Sequence, residues 1–207
     1  MNIAVIGASA GIGLETVSLG LKNGHHIIAL SRDTNKIPAH PMLTKVNASA
    51  TSVPDLVEVM SSSDAVLITV GTKKKKGTSL FSEIAKSIIA ASKAVEYRKP
   101  IIIVTGFGAG DSRPYLGFFM KSVIKLFMKD QYVDKTLMED FITGSNINWE
   151  IVRPGILTNG DATGSLKVLS TLEHGMKVGK ISRKDVAEYL IAEVENPMHI
   201  GQKITVT

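Results

Sequence analysis

Three glycines near the start of the chain stand where backbone amides can hold an anion. Gly7, Gly11 and Gly13 follow the apolar run Ile3–Ile6 and precede Leu14, Val17 and Leu21 at helical spacing, with Gly24 closing the helix. The order reads strand, glycine turn, helix. Gly7 lets the chain turn off the strand, and the missing Cβ at Gly11 and Gly13 admits a pyrophosphate close to the backbone and lets the helix pack tightly. Unpaired N–H groups and the positive end of the helix dipole then face that anion. The turn of Gly7, Ser9, Ala10, Gly11, Ile12 and Gly13 is the first candidate binding element, and its chemistry is recognition of a dinucleotide.

A second group sits at the end of the next apolar run, His26–Ser31. Ser31 and Arg32 fall about 20 residues past the turn, where doubly wound folds place the group that reads the adenosine ribose. An acid there would repel a 2′-phosphate, whereas a hydroxyl and a planar guanidinium suit its oxygens. Ser31 and Arg32 therefore favour NADP over NAD. The alternative makes Arg32 an ordinary surface residue and Asp33 the ribose acid.

Other polar groups gather where later strands should end. Asp64–Thr72 reads as a strand running into a glycine turn, so Val70, Gly71 and Thr72 at its end should lie beside the first glycine turn, since ligands sit outside the carboxyl ends of parallel strands. Ile101–Thr105 is the most apolar strand of the chain. The loop Thr105–Ser112, beginning Thr105-Gly106, should receive the reactive end of the dinucleotide and its acceptor. Pro154, Gly155 and Ile156 leave the strand Asn148–Arg153 at the same edge. Lys135, on a helix expected over 135–142, could contact the ribose there or lie in solvent.

The elements that must carry these residues follow from patterning. A chain of 207 residues, 44% hydrophobic and 21% charged, fits one domain over 1–207. Strands alternating with helices predict an α/β fold: a single Rossmann-type doubly wound parallel sheet with helices on both faces. Further strands are expected at Met42–Asn47 and Lys203–Val206, and helices over 53–60, 79–97 and from an N-cap at Ser182. No run is apolar and long enough to span a membrane, and Met1 leads straight into a core strand, which argues against a removable leader. With no cysteine, thiolate chemistry and disulfides are excluded, and a cytoplasmic setting is expected. The five histidines have no metal-ligand spacing, so no metal is expected. The formal charge of +5 favours anionic partners, here a phosphorylated dinucleotide rather than nucleic acid.

Two basic segments stay open. Lys73–Lys76 is either a solvated loop or a reach toward the cofactor phosphates. Leu116, Phe119, Met120, Val123, Ile124, Phe127 and Met128 follow helical spacing over 115–129, with Lys121, Lys125 and Lys129 on another face. Such a helix packs on the core, lies on an anionic membrane or forms a dimer seam, or walls an apolar substrate pocket.

Gly7-Ala-Ser-Ala-Gly11-Ile-Gly13 resembles the G-x-x-x-G-x-G fingerprint of the short-chain dehydrogenase/reductase superfamily. Four further stretches, beginning at Thr105, Asp134-Lys135 with Glu139, Trp149 and Ile181, resemble its atypical, NmrA-like branch. That branch includes NAD(P)H-binding proteins and the biliverdin reductase B/flavin reductase enzymes. The resemblance implies an NAD(P) cofactor. It also implies an adenine contact at Asn47-Ala48, where relatives usually carry an acid. The superfamily's Tyr-x-x-x-Lys is absent: four residues after Tyr97, Tyr115, Tyr132 and Tyr189 stand Ile101, Phe119, Thr136 and Glu193. Tyr132 and Lys135 are one residue closer than that pattern, and the serine that flavin reductases carry past the strand-five threonine is Gly106 here. Thr105, Tyr132 and Lys135 remain the candidate catalytic residues.

Without a tuned Tyr/Lys pair, carbonyl reduction lacks its general acid. Hydride transfer from NADPH to a flavin or quinone, a flat acceptor that stabilises charge itself, asks less of the protein. The expected partners are that small-molecule acceptor and, at most, a second copy of the chain. The alternatives are a non-catalytic NADP(H) redox sensor, and epimerase or dehydratase chemistry on a nucleotide sugar, for which the chain is short.

Overall fold

A computed structural model describes residues 1–74, 76–173, 176 and 178–207. In chain order its regular elements are β1 (Asn2–Ile6), α1 (Gly11–Lys22), β2 (His26–Ser31), β3 (Leu43–Asn47), α2 (Val53–Ser61), β4 (Ala65–Ile68), α3 (Leu80–Ala94) and β5 (Ile101–Val104). After a 3₁₀ turn at Gly110–Tyr115 come α4 (Phe118–Val123), a π-helical stretch at Ile124–Met128 and α5 (Lys129–Thr143). Then follow β6 (Trp149–Pro154), β7 (Ile156–Thr158), β8 (Val168–Leu169), β9 (Lys180–Ser182), α6 (Arg183–Glu195) and β10 (Lys203–Val206).

The main sheet runs β3-β2-β1-β4-β5-β6-β10-β8. Every pairing in it is parallel except the short edge strand β8 on β10. Alternate strand residues feed two cores. Ile3, Val5, Ala29 and Leu67 face α1 and α6, with Val17, Leu190 and Val194. Ala4, Ile6, Val66 and Ile103 face α2, α3 and α5, with Leu56, Ile84, Ile88 and Met138. Strands covered on both sides have no solvent face, which is why β1, β4 and β5 read as unbroken apolar runs. This is the expected doubly wound Rossmann-type sheet.

The strand order reverses between β1 and β4, and a crevice opens there at the carboxyl ends. Gly7 turns off β1 at φ +92°, and a Cβ on it would come within 2.8 Å of the Val70 nitrogen. A Cβ on Gly13 would sit 2.2 Å from the Gly7 carbonyl oxygen, so α1 can approach the turn only as glycine.

Two expectations need correction. The turn expected after Pro154 contains β7, which pairs in parallel with β9 as a separate two-stranded sheet. Neither strand is long enough to show a period. The second correction concerns 115–142, expected as a helix over 115–129 and another over 135–142. The chain forms a 3₁₀ turn and then nearly continuous helix from 118 to 143. Between the two expected helices the polar residues are engaged rather than solvated, Gln131 and Asp134 being buried. The Asp130 carboxylate accepts from Gly77 N at 2.8 Å, and Gln131 Nε2 donates to the Lys74 carbonyl at 2.9 Å. Asp134 accepts from Phe81 N at 2.9 Å and Ser82 N at 3.1 Å, capping α3 from a neighbouring helix. Nor does the 118–128 stripe pack on the core: only Ile124 in it is buried.

Candidate active site

A groove of about 500 Å³ follows the carboxyl ends of β1, β2, β4 and β5. Its walls include Gly7, Ser9, Ala10, Gly11 and Ile12 from the glycine turn, Ser31 and Arg32 from the end of β2, and Ala48 beyond β3. Val70, Gly71, Thr72 and Lys73 come from the end of β4, with Thr105 and Lys135 at the far end. Ser9 Oγ lies 2.8 Å from Ser31 Oγ, joining the turn to the end of β2. Arg32 is exposed beside that pair.

A second cavity of about 340 Å³ continues from this groove. Gly106, Phe107, Tyr115, Leu116, Met120, Met128, Tyr132, Met176 and Val178 wall it, and Pro154, Gly155 and Ile156 close one side. Thr105, Lys135, Leu157 and Arg183 line both spaces. A molecule lying along the groove therefore ends against a mostly apolar chamber.

Lys135 projects from α5 into the junction, and its Nζ donates to the Thr105 carbonyl at 2.6 Å. Burial pulls the ammonium down to about 8, with nearby Glu139 acting in the opposite sense. Tyr132, one turn earlier, is raised above the usual phenol range by burial and stays protonated at neutral pH. The Tyr132 hydroxyl and Lys135 Nζ lie 3.4 and 3.5 Å from a single point, where a Cβ on Gly106 would be. The i, i+3 spacing thus brings both groups over the Gly106 backbone.

Thr105 is held from behind. Its hydroxyl donates to Glu139 Oε1 at 2.7 Å, so its only proton is committed away from the cavity. Arg153, buried at the end of β6, donates to the same carboxylate through Nε at 3.1 Å and Nη2 at 2.5 Å. The guanidinium also pairs with Asp111 at 2.5 Å, and Asp111 pairs with Lys203. The two cations hold the Asp111 carboxyl below the usual range against its own desolvation.

Most residues singled out from the sequence meet at this edge. Pro154, Gly155, Ile156, Gly106 and Tyr132 border the apolar chamber and not the groove. Two lie outside both linings. Gly13 supports the turn from below, and Asn47, with its amide turned to satisfy both ends, faces the Ser31 and Arg32 carbonyls. Of the lysine run, Lys73 borders the groove, Lys74 and Lys76 are exposed, and Lys75 lies outside the described residues.

Sequence reasoning missed Arg183. Ser182 caps α6 as expected, accepting from Asp185 N at 3.0 Å. The residue after that cap reaches across to the glycine turn, where a Cβ on Gly11 would lie 3.5 Å from Arg183 Nε. Arg183 Nη1 donates to Asn159 Oδ1 at 2.6 Å. The available signal was a cation at the first position of a helix whose start follows a strand end.

A family model described as NAD(P)H-binding matches residues 7–197. The chain belongs to the NAD(P)H-binding family. The match includes the glycine turn, the junction residues and the start of α6, so the family expected from the sequence motifs is borne out. Among curated relatives, the uncharacterized sugar epimerase YhfK of Bacillus subtilis is 26% identical, covering 94% of this chain and 88% of YhfK. Solved structures with the same fold include the Escherichia coli O157:H7 anaerobillin reductase ChuY. ChuY superposes with TM-score 0.81 at 21% identity, covering 100% of this chain and 96% of that one. A Veillonella parvula short-chain dehydrogenase/reductase in complex with NADP gives TM-score 0.84 at 17% identity, covering 99% and 93%.

Proposed function

We propose that this NAD(P)H-binding protein is an NADPH-dependent reductase that passes hydride to a flat conjugated acceptor of the flavin or quinone class. The observation that carries the reading is the continuity of groove and chamber through Thr105, Lys135, Leu157 and Arg183. The dinucleotide fits the residues present: Gly7 and Gly13 leave no room for a Cβ, and Ser9, Ser31 and Arg32 cluster where a 2′-phosphate would lie. The bound dinucleotide supplies the hydride. The chain supplies the rest.

The glycine turn and the start of α1 orient the pyrophosphate through backbone N–H groups. Ser31 and Arg32 hold the 2′-phosphate and so favour NADP over NAD. Phe107, Leu116, Met120 and Met128 exclude water and stack an apolar ring against the open end of the groove. Lys135 Nζ gives the proton that, with the hydride, completes two-electron reduction, and regains it from solvent. The Tyr132 hydroxyl, protonated at working pH, hydrogen-bonds the acceptor. Thr105 acts through its backbone, its carbonyl aiming Lys135 while Glu139 and Arg153 hold it in place.

A sugar would find few polar partners among these walls, so the epimerase name of YhfK does not extend to this chain on chemical grounds. Steady-state oxidation of NADPH with a panel of flavins and quinones tests the reading. Turnover with at least one acceptor is expected. Tight, redox-selective NADP(H) binding without turnover would overturn it in favour of a cofactor sensor.

A further inference from the structure

The segment that walls the chamber turns its largest side chains outward. Phe118, Phe119, Leu126 and Phe127 are 89%, 74%, 74% and 58% exposed. Large apolar groups on a soluble surface normally occur singly, and a cluster marks a contact site. Met120 and Met128 of the same segment face into the chamber, so the exposed groups stand at its rim.

Cations flank them. Lys121, Lys125, Lys129 and Arg113 border a groove of about 500 Å³ beside this segment, with Leu116, Ile124 and Leu137 also lining it and, among the described residues, no carboxylate. The chain at Lys74 and Gly77 is tied beside this segment, the Lys74 carbonyl accepting from Gln131 and Gly77 N donating to Asp130, directly after Lys129. Among the described residues none of Lys74, Lys76, Arg113, Lys121, Lys125 and Lys129 is in an ion pair.

We propose that this face docks the protein on an anionic lipid bilayer. Phe118, Phe119, Leu126 and Phe127 enter the boundary between headgroups and acyl chains, and the surrounding lysines with Arg113 meet lipid phosphates. Charge complementarity decides the occupant. A second copy pairing through the same face would set two uncompensated lysine rows against each other. An anionic bilayer offers the opposite sign together with an apolar interior. Docking stands on exposure and charge. Its consequence rests on the reductase reading above: the chamber mouth meets the membrane, so a lipid-dissolved acceptor enters without crossing water.

Cosedimentation with phosphatidylcholine vesicles, with and without phosphatidylglycerol, tests docking with no cofactor or acceptor present, so a failed turnover assay leaves this result readable. Binding to the anionic vesicles, at least tenfold above the neutral ones and weakening with salt, is expected. The triple variant K121Q/K125Q/K129Q should bind about a hundredfold more weakly, and F118S/F119S/F127S should lose binding at any salt. All six side chains are exposed, and unchanged circular dichroism and melting temperature should accompany the loss. No binding to anionic vesicles overturns the proposal. So does a dimer in sedimentation equilibrium that F118S/F119S/F127S dissociates, or equal retention of duplex RNA.

Discussion

The Lys135 ammonium nitrogen lies 2.6 Å from the Thr105 carbonyl oxygen, at the point where the groove along the sheet edge meets the apolar chamber. A backbone acceptor cannot titrate, so this contact fixes the direction of the ammonium without holding its proton permanently. Burial has already lowered that proton's affinity, to about 8.

The sign of the pH dependence follows. A proton donor must be charged before the step, so NADPH oxidation should stay level below about pH 8 and fall roughly tenfold per unit above it. Lys135→Met should lower kcat about a hundredfold and abolish the inflection. A pH–rate profile that keeps its inflection in Lys135→Met would remove this residue from proton transfer.

On the proposed reading, Arg32 decides between two cofactors. Charge-assisted hydrogen bonds are worth about 1.5–3 kcal/mol, so Arg32→Asp should weaken NADP roughly ten- to a hundredfold and leave NAD unchanged or tighter. Calorimetric titration of both dinucleotides reads the ratio. An unchanged ratio would assign the ribose to other residues.

Glu139 and Arg153 make a stability prediction. Both side chains are 1% exposed, and the remaining partner of Arg153, Asp111, is 57% exposed. Removing one member of a buried pair strands the other, so Glu139→Ala should cost about 3–5 kcal/mol, measured by urea unfolding. Thr105→Val, which deletes only the hydroxyl donor, should cost about 1 kcal/mol.

Gly13 tests the turn itself. Its Cβ would meet the Gly7 carbonyl at 2.2 Å and Thr69 Oγ1 at 2.5 Å, the first of them backbone. Gly13→Ala should push α1 away from the turn at about 1–3 kcal/mol and abolish dinucleotide binding. Retained binding at unaltered stability would mean the turn is looser than this geometry.

The gathering of the glycine turn and the end of β2 along one groove was legible because its signals are local. Gly7, Gly11 and Gly13 sit between a strand and a helix, and Ser31-Arg32 ends the next strand, so spacing alone assembles them. The acceptor half depends on distant partners. Asp130, Gln131 and Asp134 read as a polar break until their partners are in place: the Gly77, Phe81 and Ser82 amides that the two carboxylates accept, and the Lys74 carbonyl to which Gln131 donates. Arg183 reads as helix-start decoration until the β7–β9 pairing sets it opposite Gly11. The 118–128 stripe has core periodicity, but its outward half faces water and only Met120, Ile124 and Met128 turn inward.

Asp134 and Lys135 are adjacent on one helix, the first anchoring the amides of α3 and the second reaching the chamber. The Thr105 carbonyl fixes the ammonium at its tip, while the buried Asp134 carboxylate anchors the helical turn that carries it. On the reductase reading, sequence drift in the opening turn of α3 would be felt as a misdirected proton before it registered as a lost fold.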